Sequence, residues 1–290
     1  MSAATSLADR FEEHRPHVRA VAYRLLGSLS EADDAVQQTW LRLQRVDPDE
    51  IDNLGGWLTT VVSRLCLDML RARRARPEVE IDAHLPDPVV TAPEVHDPEA
   101  EAVLADSVGL ALQVVLDRLK PAERLAFVLH DMFAVPFEDV AELLGRTPAA
   151  VRQLASRARR RVADTPAPER DRARQRAAAD AFLTAARAGD FDALVAVLDP
   201  DVVLHADGGA ARPEISGIVR GPATIAQRAL AFRTPGVEVR PVLVNGVAGA
   251  LATLEGRPVT LFAFTLCGDR IVRLDILGDP DRLAALPLPA

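Results

Sequence analysis

Cysteine is nearly absent from this 290-residue chain: Cys66 and Cys267 lie far apart in sequence, and neither has a neighbour at metal-ligand spacing. That excludes a disulfide framework and a cysteine-based zinc site, and both thiols are expected to be buried and reduced. The opening MSAATSLADR has no basic segment followed by an apolar core, so no secretion signal is expected. No uninterrupted apolar run reaches membrane-spanning length. The expected location is therefore cytoplasmic, with no membrane partner. Two further absences are local. From Val151 to Val162 there is no acid, and from Glu78 to Asp106 there is no lysine or arginine. The formal charge of −8 thus hides a segregated distribution. Whole-chain charge argues against a protein that coats nucleic acid, but it does not speak to a basic patch.

The first basic patch is the stretch FEDVAELLGRTPAAVRQLASRARRRV, residues 137–162. Phe137, Val140, Ala141 and Leu144 recur at three- and four-residue spacing, which makes one helical apolar stripe. Gly145 suits the helix end because it takes the left-handed conformation freely. Thr147 can cap a second helix, with Pro148 at its first position. In that helix Val151, Leu154, Ala155, Ala158 and Val162 face inward, leaving Arg152, Gln153, Ser156, Arg157, Arg160 and Arg161 outside. This is a helix-turn-helix pattern with a basic second helix. Its bland counterpart is a helical hairpin with a solvated basic face. Arginines with no acid at i−4 or i+4 repel one another, and an incoming anion would relieve that.

The second basic patch ends the stretch Trp57 to Arg76, WLTTVVSRLCLDMLRARRAR, where Arg64, Arg71, Arg73, Arg74 and Arg76 face only Asp68. An aromatic such as Trp57 beside a basic helix can hold an unstacked base, at about 1–3 kcal/mol per base. The competing reading makes Trp57 a core residue. Upstream, residues 7–28 form a helix with Phe11, Val18, Val21, Ala22, Leu25 and Leu26 inward, ended by Gly27 and Ser28. Ser30 is the expected cap of the next helix, whose first turn is acidic. That helix buries Val36, Trp40 and Leu43, and leaves Asp34, Gln37, Gln38 and Arg42 outside or at its edges.

Residues 77–105 form a linker interrupted by Pro77, Pro86, Pro88, Pro93 and Pro98, and extended by its acids. Helices are expected from Asp106 to Leu119 and from Glu123 to Phe133. A Pro-rich hinge, residues 164–171, leads to two helices, 172–188 and FDALVAVL. Strands follow: DVVLHA, VEVRPVLVNGV, GALATLEG, PVTLFAFTLC and RIVRLDIL, with a hairpin turn at Gly268-Asp269. Helices followed by a run of strands indicate an α+β domain.

Taken together, residues 7–76 and 106–162 resemble regions two and four of the extracytoplasmic-function (ECF) sigma factors of the sigma-70 family. DAVQQTW resembles the family's D-x-x-Q-E-x-F/W signature for the clamp helices of RNA polymerase. The resemblance implies a core-polymerase site at Asp34, Gln37, Gln38 and Trp40, with Gln38 standing for the usual glutamate. It implies a −10 site at Trp57, Ser63, Arg64, Asp68, Arg71, Arg73 and Arg74, with Ser63, Arg64 and Asp68 at the base pocket and the later arginines on phosphates. It implies a −35 site at Arg146, Thr147, Ala149, Arg152, Gln153, Ser156, Arg157, Arg160 and Arg161. It also implies a linker path through the polymerase, in a channel built for RNA. HLPDPVV resembles the family's W-L-P-E-P motif, with His84 in place of the tryptophan.

AGDFDALVAVLDPDVVLHADGG resembles the SnoaL-like group of the nuclear-transport-factor-two superfamily, and that likeness covers most of residues 172–290. Asp207-Gly208-Gly209 resembles a D-G-G-G-K loop, with Ala210 and Ala211 replacing its last two residues. Gly278-Asp279-Pro280-Asp281-Arg282-Leu283 resembles a terminal N-P-D-K-L motif.

The expected fold class is therefore multidomain. Two all-α sigma domains, 1–76 and 106–163, flank an acidic linker, 77–105, and are followed by an α+β cone at 172–290. The expected function is promoter recognition for core RNA polymerase, with promoter DNA as second partner. The cone would act as an attached regulator touching the sigma regions or the linker. No catalytic residue, metal or cofactor is expected. His205, Asp207 and Asp275 form an acid/base set if they meet in a pocket, but a lone histidine on an alternating strand is usually structural. Two alternatives remain: a free-standing, ligand-controlled helix-turn-helix regulator, and a cyclase-like enzyme with a DNA-binding passenger.

Overall fold

A computed structural model describes residues 6–47, 51–75, 84–93, 109–163, 169, 171–231 and 234–289. The chain divides into two units. One comprises residues 1–78, 98–106 and 115–164; the other comprises 79–97, 107–114 and 165–290.

The first unit is helical. Helix α1, Leu7–Leu26, opens with a capping box in which Ser6 and Asp9 satisfy each other's backbone amides. It ends at Gly27, left-handed at φ 74°. All six residues expected inward on α1 are buried. Helix α2, Leu29–Leu43, is capped from position Ser28, so Ser30 falls inside the first turn. The cap expectation is corrected by two residues: Ser28 is the extended residue, and its hydroxyl bonds that of Ser30 at 3.1 Å. Helix α3, Leu54–Ala75, begins three residues before Trp57. The reason is Asn53, whose side chain accepts from the Gly56 amide at 3.0 Å and starts the helix through two glycines.

Helix α4, Gly109–Asp117, and helix α5, Pro121–Phe127, follow the linker. Pro121 sits in the first turn of α5, where a missing N–H costs nothing. The helix expected to run to Phe133 instead widens into a π-turn over Val128–Met132. There Phe133 N–H donates to Val128 O at 3.2 Å, and His130 stacks on Phe137 at 3.5 Å between ring centres. Helices α6, Phe137–Leu144, and α7, Pro148–Ala163, make the helix-turn-helix, with Gly145 left-handed at φ 62°. The Thr147 hydroxyl accepts from the Ala150 amide at 3.2 Å. Within this unit α5 packs on α3. Buried Arg124 fixes that contact, donating to Arg24 O on α1 at 3.1 Å and to Asp117 at 2.5 Å. Burial lowers the Arg124 pKa, and the Asp117 carboxylate works against that fall.

The second unit is a seven-stranded sheet with helices. Helices α8, Arg172–Ala188, and α9, Phe191–Val197, lead into β2, Leu198–Asp207. Strand β1 is Val90–Thr91 of the linker. Next come β3, Gly217–Arg220, helix α10, Pro222–Ala231, and β4, Val237–Val244. Strands β5, Val247–Leu254, β6, Arg257–Cys267, and β7, Arg270–Leu277, precede a short helix α11, Pro280–Ala285. The sheet order is β1-β4-β5-β6-β7-β2-β3, and only β2 and β7 pair in parallel among these neighbours.

The stretch expected as one strand through VNGV is a hairpin. Asn245 and Gly246 both take positive φ, 49° and 78°, which turns the chain between β4 and β5. One face of the sheet buries Leu204, Ala206, Phe264 and Leu274 against α8, α9 and α10. The other face buries Val242, Val244, Leu261 and Leu277 together with Val90, Leu110 and Leu283.

Candidate nucleic-acid interface and linker clasp

On α2, Asp34, Gln37 and Gln38 are exposed and share one helix face at i, i+3, i+4 spacing. Leu41 continues that face, 45% exposed, and sequence reasoning did not single it out. Trp40 is half-buried, with its ring centre 5.0 Å from that of Phe11, so it anchors the face from behind.

On α3, Trp57, Arg64, Asp68 and Arg71 fall on one stripe, half-buried at Trp57 and exposed thereafter. Ser63 does not join them: it is fully buried, turned in from the exposed stripe. Arg71 lies 3.7 Å from Asp68. Arg73 pairs with Glu31 and donates to Leu26 O at 3.2 Å, and Arg74 donates to Leu119 O at 3.0 Å. Arg73 and Arg74, two of the three arginines assigned to phosphates, are therefore engaged with groups outside their own helix.

On α7, Val151, Leu154, Ala155 and Ala158 are buried, and Arg152, Gln153, Ser156, Arg157, Arg160 and Arg161 are exposed together with Arg146, Thr147 and Ala149 of the turn. The arginine stripe is not left to self-repulsion. Neutralising acids come from neighbouring elements, which a search at i−4 and i+4 cannot reveal. Glu123 of α5, with its side chain 5% exposed, meets Arg157 at 3.1 Å and Arg161 at 3.0 Å. Asp131 meets Arg159 at 2.6 Å, and Glu138 meets Arg152 at 2.9 Å. Arg152 also lies over the Phe137 ring, 5.4 Å from its centre. Among the described residues, Arg146 and Arg160 make no ion pair.

The linker is not simply a solvated spacer where it is described. Leu85 is fully buried, Pro86 and Pro88 are buried, and Val90 and Thr91 pair with Val244 and Leu243 of β4. Asp207 is the organising group. Its carboxylate accepts the Leu85 amide at 2.8 Å and meets Arg282 of α11 at 2.5 Å. Arg282 in turn donates to Leu85 O at 2.6 Å and to Asp87 at 2.8 Å. His84 lies 3.4 Å from Asp207. Asn245 closes the other end, accepting the Val89 amide at 2.9 Å and donating its own amide to Val89 O at 2.8 Å.

Glycine is required beside Asp207. Gly209 sits at φ 61°, and a Cβ there would collide with the Asp279 carboxylate that caps α11. The D-G-G loop was noted in the sequence; Arg282, Asp87 and Asn245 were not assigned roles. Their signal was present but indirect, since the Arg282 motif and the Asn245-Gly246 turn both stood in the sequence without a stated partner.

His205, Asp207 and Asp275 do come to one face of the sheet, with His205 opposite Asp275 in register. All three are buried. Arg273 joins them, donating to Asp275 at 2.6 Å and to His205 Nδ1 at 3.1 Å. Burial alone raises the Asp275 carboxyl, but the Arg273 charge and the His205 and Arg273 hydrogen bonds outweigh it and hold the group below its ordinary value. The cavity of the cone opens on the other face, lined by Leu204, Ala206, Leu274 and Ile276, whose side chains alternate with theirs. The set does not meet in that pocket.

Of the two thiols, Cys66 is buried as expected. Cys267 is exposed, because it ends β6 at the Gly268-Asp269 turn rather than facing the core. Among the described residues no group of acids, histidines and cysteines is placed to hold a metal, and no helix is long and apolar enough to cross a membrane.

Residues 10–76 match the sigma-70 region 2 family, and residues 109–162 match sigma-70 region 4. The ECF RNA polymerase sigma factor SigJ of Mycobacterium tuberculosis is 40% identical over 295 residues, covering 97% of this chain and 94% of that protein. The chain belongs to the ECF RNA polymerase sigma factors. A probable ECF sigma factor of the same organism, SigI, is 32% identical to this sigma factor over 99% of its length and 98% of the relative. The crystal structure of M. tuberculosis SigJ superposes with a TM-score of 0.79 at 38% identity, covering 97% of the sigma factor and all of that chain. The architecture is helical sigma regions followed by an α+β sheet domain, in agreement with the fold class read from the sequence.

Proposed function

We propose that the sigma factor divides its work as follows. The α2 face of Asp34, Gln37, Gln38 and Trp40, extended by Leu41, docks on core polymerase. The α3 stripe of Trp57, Arg64, Asp68 and Arg71 engages the −10 element, joined by Arg73 and Arg74 once their internal partners are given up. Helix α7 reads the −35 duplex through Arg152, Gln153 and Ser156, while Arg157, Arg160 and Arg161 meet phosphates with Arg146, Thr147 and Ala149 at the turn. The proposed divisions are region two at 1–76, a linker at 77–105, region four at 106–163 and the cone at 172–290. The site of action is the cytoplasm.

The cone works as a restraint on the linker and not as a catalyst. One observation carries this: Asp207 and Arg282 grip the linker backbone and Asp87 in a buried clasp. A segment held there cannot at the same time lie in the RNA channel of a polymerase. Release of residues 84–91 is then a step on the way to initiation. Run-off transcription with purified core enzyme tests this, comparing wild type with Arg282→Ala. Output should rise several-fold at limiting sigma factor; unchanged or lower output removes the support for restraint. Replacing Asp34 and Gln37 with alanine should separately abolish co-purification with core polymerase, and intact co-purification contradicts the α2 assignment.

A further inference from the structure

The carboxylates that face the arginines of α7 differ in kind. Glu138 meets Arg152 at the surface, where both side chains are more than half exposed, so water and salt displace the pair readily. Asp131 meets Arg159 alone. Glu123 is buried and grips two arginines at once. One of its oxygens accepts from Arg157 Nε at 3.1 Å, and the other accepts from a terminal nitrogen of Arg161 at 3.0 Å.

Arg157 and Arg161 stand one turn apart on α7, so their charges repel unless an anion lies between them. Helix α5 packs against α7 and keeps the Glu123 carboxylate beneath that pair. A guanidinium carries several N–H donors in a planar fork. Each arginine commits one of them to Glu123, while its side chain stays about half-exposed, at 47% for Arg157 and 50% for Arg161. The carboxylate thus fixes the inner edge of each fork and leaves an outer edge turned to solvent, where a phosphate oxygen can be received.

We infer that Glu123 is a positioning residue for DNA binding by α7. It locks Arg157 and Arg161 into one phosphate cradle and offsets part of their joint charge, which restrains attraction to DNA of any sequence. The inference rests on the −35 reading of α7. Nonspecific affinity comes from the charge of arginine and lysine and tolerates any guanidinium pose. Promoter binding needs the pose as well, because phosphate contacts set the register in which Arg152, Gln153 and Ser156 reach base edges. A fixed carboxylate lowers the first and preserves the second, so its effect is discrimination.

Fluorescence anisotropy of the full chain, on a promoter duplex and on a scrambled duplex of equal length, tests this with Glu123→Gln, which keeps the shape and removes the charge. Scrambled DNA should bind about fivefold tighter at low salt, with a salt slope steeper by about one, and the promoter-to-scrambled affinity ratio should fall about fivefold. Glu142→Gln makes the same charge change at an exposed residue of α6 that pairs with no arginine among the described residues, and it should leave slope and ratio as in wild type. Glu123→Asp keeps the charge and shortens the reach; it should keep the wild-type slope and lose discrimination, and it decides the matter where the glutamine variant does not unfold cooperatively. An unchanged slope or ratio in folded Glu123→Gln, an equal response to Glu142→Gln, an undiminished ratio in Glu123→Asp, or loss of cooperative unfolding in both Glu123 variants overturns the inference. Arg160→Ala in the same assay separates the two readings. If it leaves both duplexes bound as before, the −35 reading falls and this inference with it; if it weakens both while Glu123→Gln behaves as wild type, only the role of Glu123 falls.

Discussion

Arg282→Ala should loosen the linker without unfolding the cone. Arg282 makes three charge-assisted contacts, to Asp207, Asp87 and Leu85 O, and its side chain is 18% exposed. Asp207 is 3% exposed and would keep the amides of Leu85 and Gly209 but lose its counter-charge. Removing one partner of a buried pair costs about 3–5 kcal/mol, and partial exposure of Arg282 brings the expectation to about 2–4 kcal/mol. At 1.4 kcal/mol per decade, the undocked linker gains roughly 30- to 700-fold in population. Hydrogen exchange reads this directly at the Leu85 and Val89 amides, which donate to Asp207 and Asn245. Their protection should fall by that factor, while amides in β5 and β6 keep theirs. Unchanged protection at Leu85 and Val89 would refute the reasoning, since the clasp would then contribute nothing to docking.

Three further outcomes are expected. Burial pushes the Cys66 thiol up to about 12, whereas Cys267 is exposed, so iodoacetamide at neutral pH should modify one thiol per native chain, at Cys267; peptide mapping that finds Cys66 modified in the native state contradicts the packing of α3. Arg160→Ala should weaken promoter binding uniformly across sequences and lower the salt slope by about one, as a lost phosphate contact requires; an unchanged slope, measured by fluorescence anisotropy from low to moderate salt, moves Arg160 off the DNA. Asp275 has a folded pKa below its unfolded value of about 3.9, so its contribution to stability is complete above that pH and is lost as pH falls through the folded value. Asp275→Asn should therefore be less stable than wild type at neutral pH and approach it in strong acid, read by urea unfolding across that range; a gap independent of pH would contradict the buried Arg273–Asp275 pairing.

Much of the helical part was legible because its signals are local. The stripe of α6, Gly145 at its end and the inward residues of α7 follow from spacing within one helix. The acids opposite the arginine stripe were not legible, since Glu123 and Asp131 belong to elements that meet α7 only after folding. The same holds for Ser63, whose side chain turns inward one position away from exposed Arg64. Small shifts at helix starts came from single capping residues, Ser28 and Asn53. In the linker, prolines and acids pointed to extended chain, which Val90–Thr91 adopts, but said nothing of a partner. Pairing of Val90 with Val244 joins residues more than 150 positions apart, and no local pattern encodes it. Alternation along β2 and β7 did hold the key to the acid/base set: odd positions His205, Asp207 and Asp275 face away from the even positions that line the cavity.

The most direct measurement is run-off transcription from a cognate promoter with purified core RNA polymerase, this chain as the sole sigma factor, and Arg282→Ala in parallel. Promoter-directed transcripts should form with both proteins and be several-fold more abundant with the variant. Absence of promoter-directed transcripts from both, with polymerase active on another sigma factor, would contradict the account.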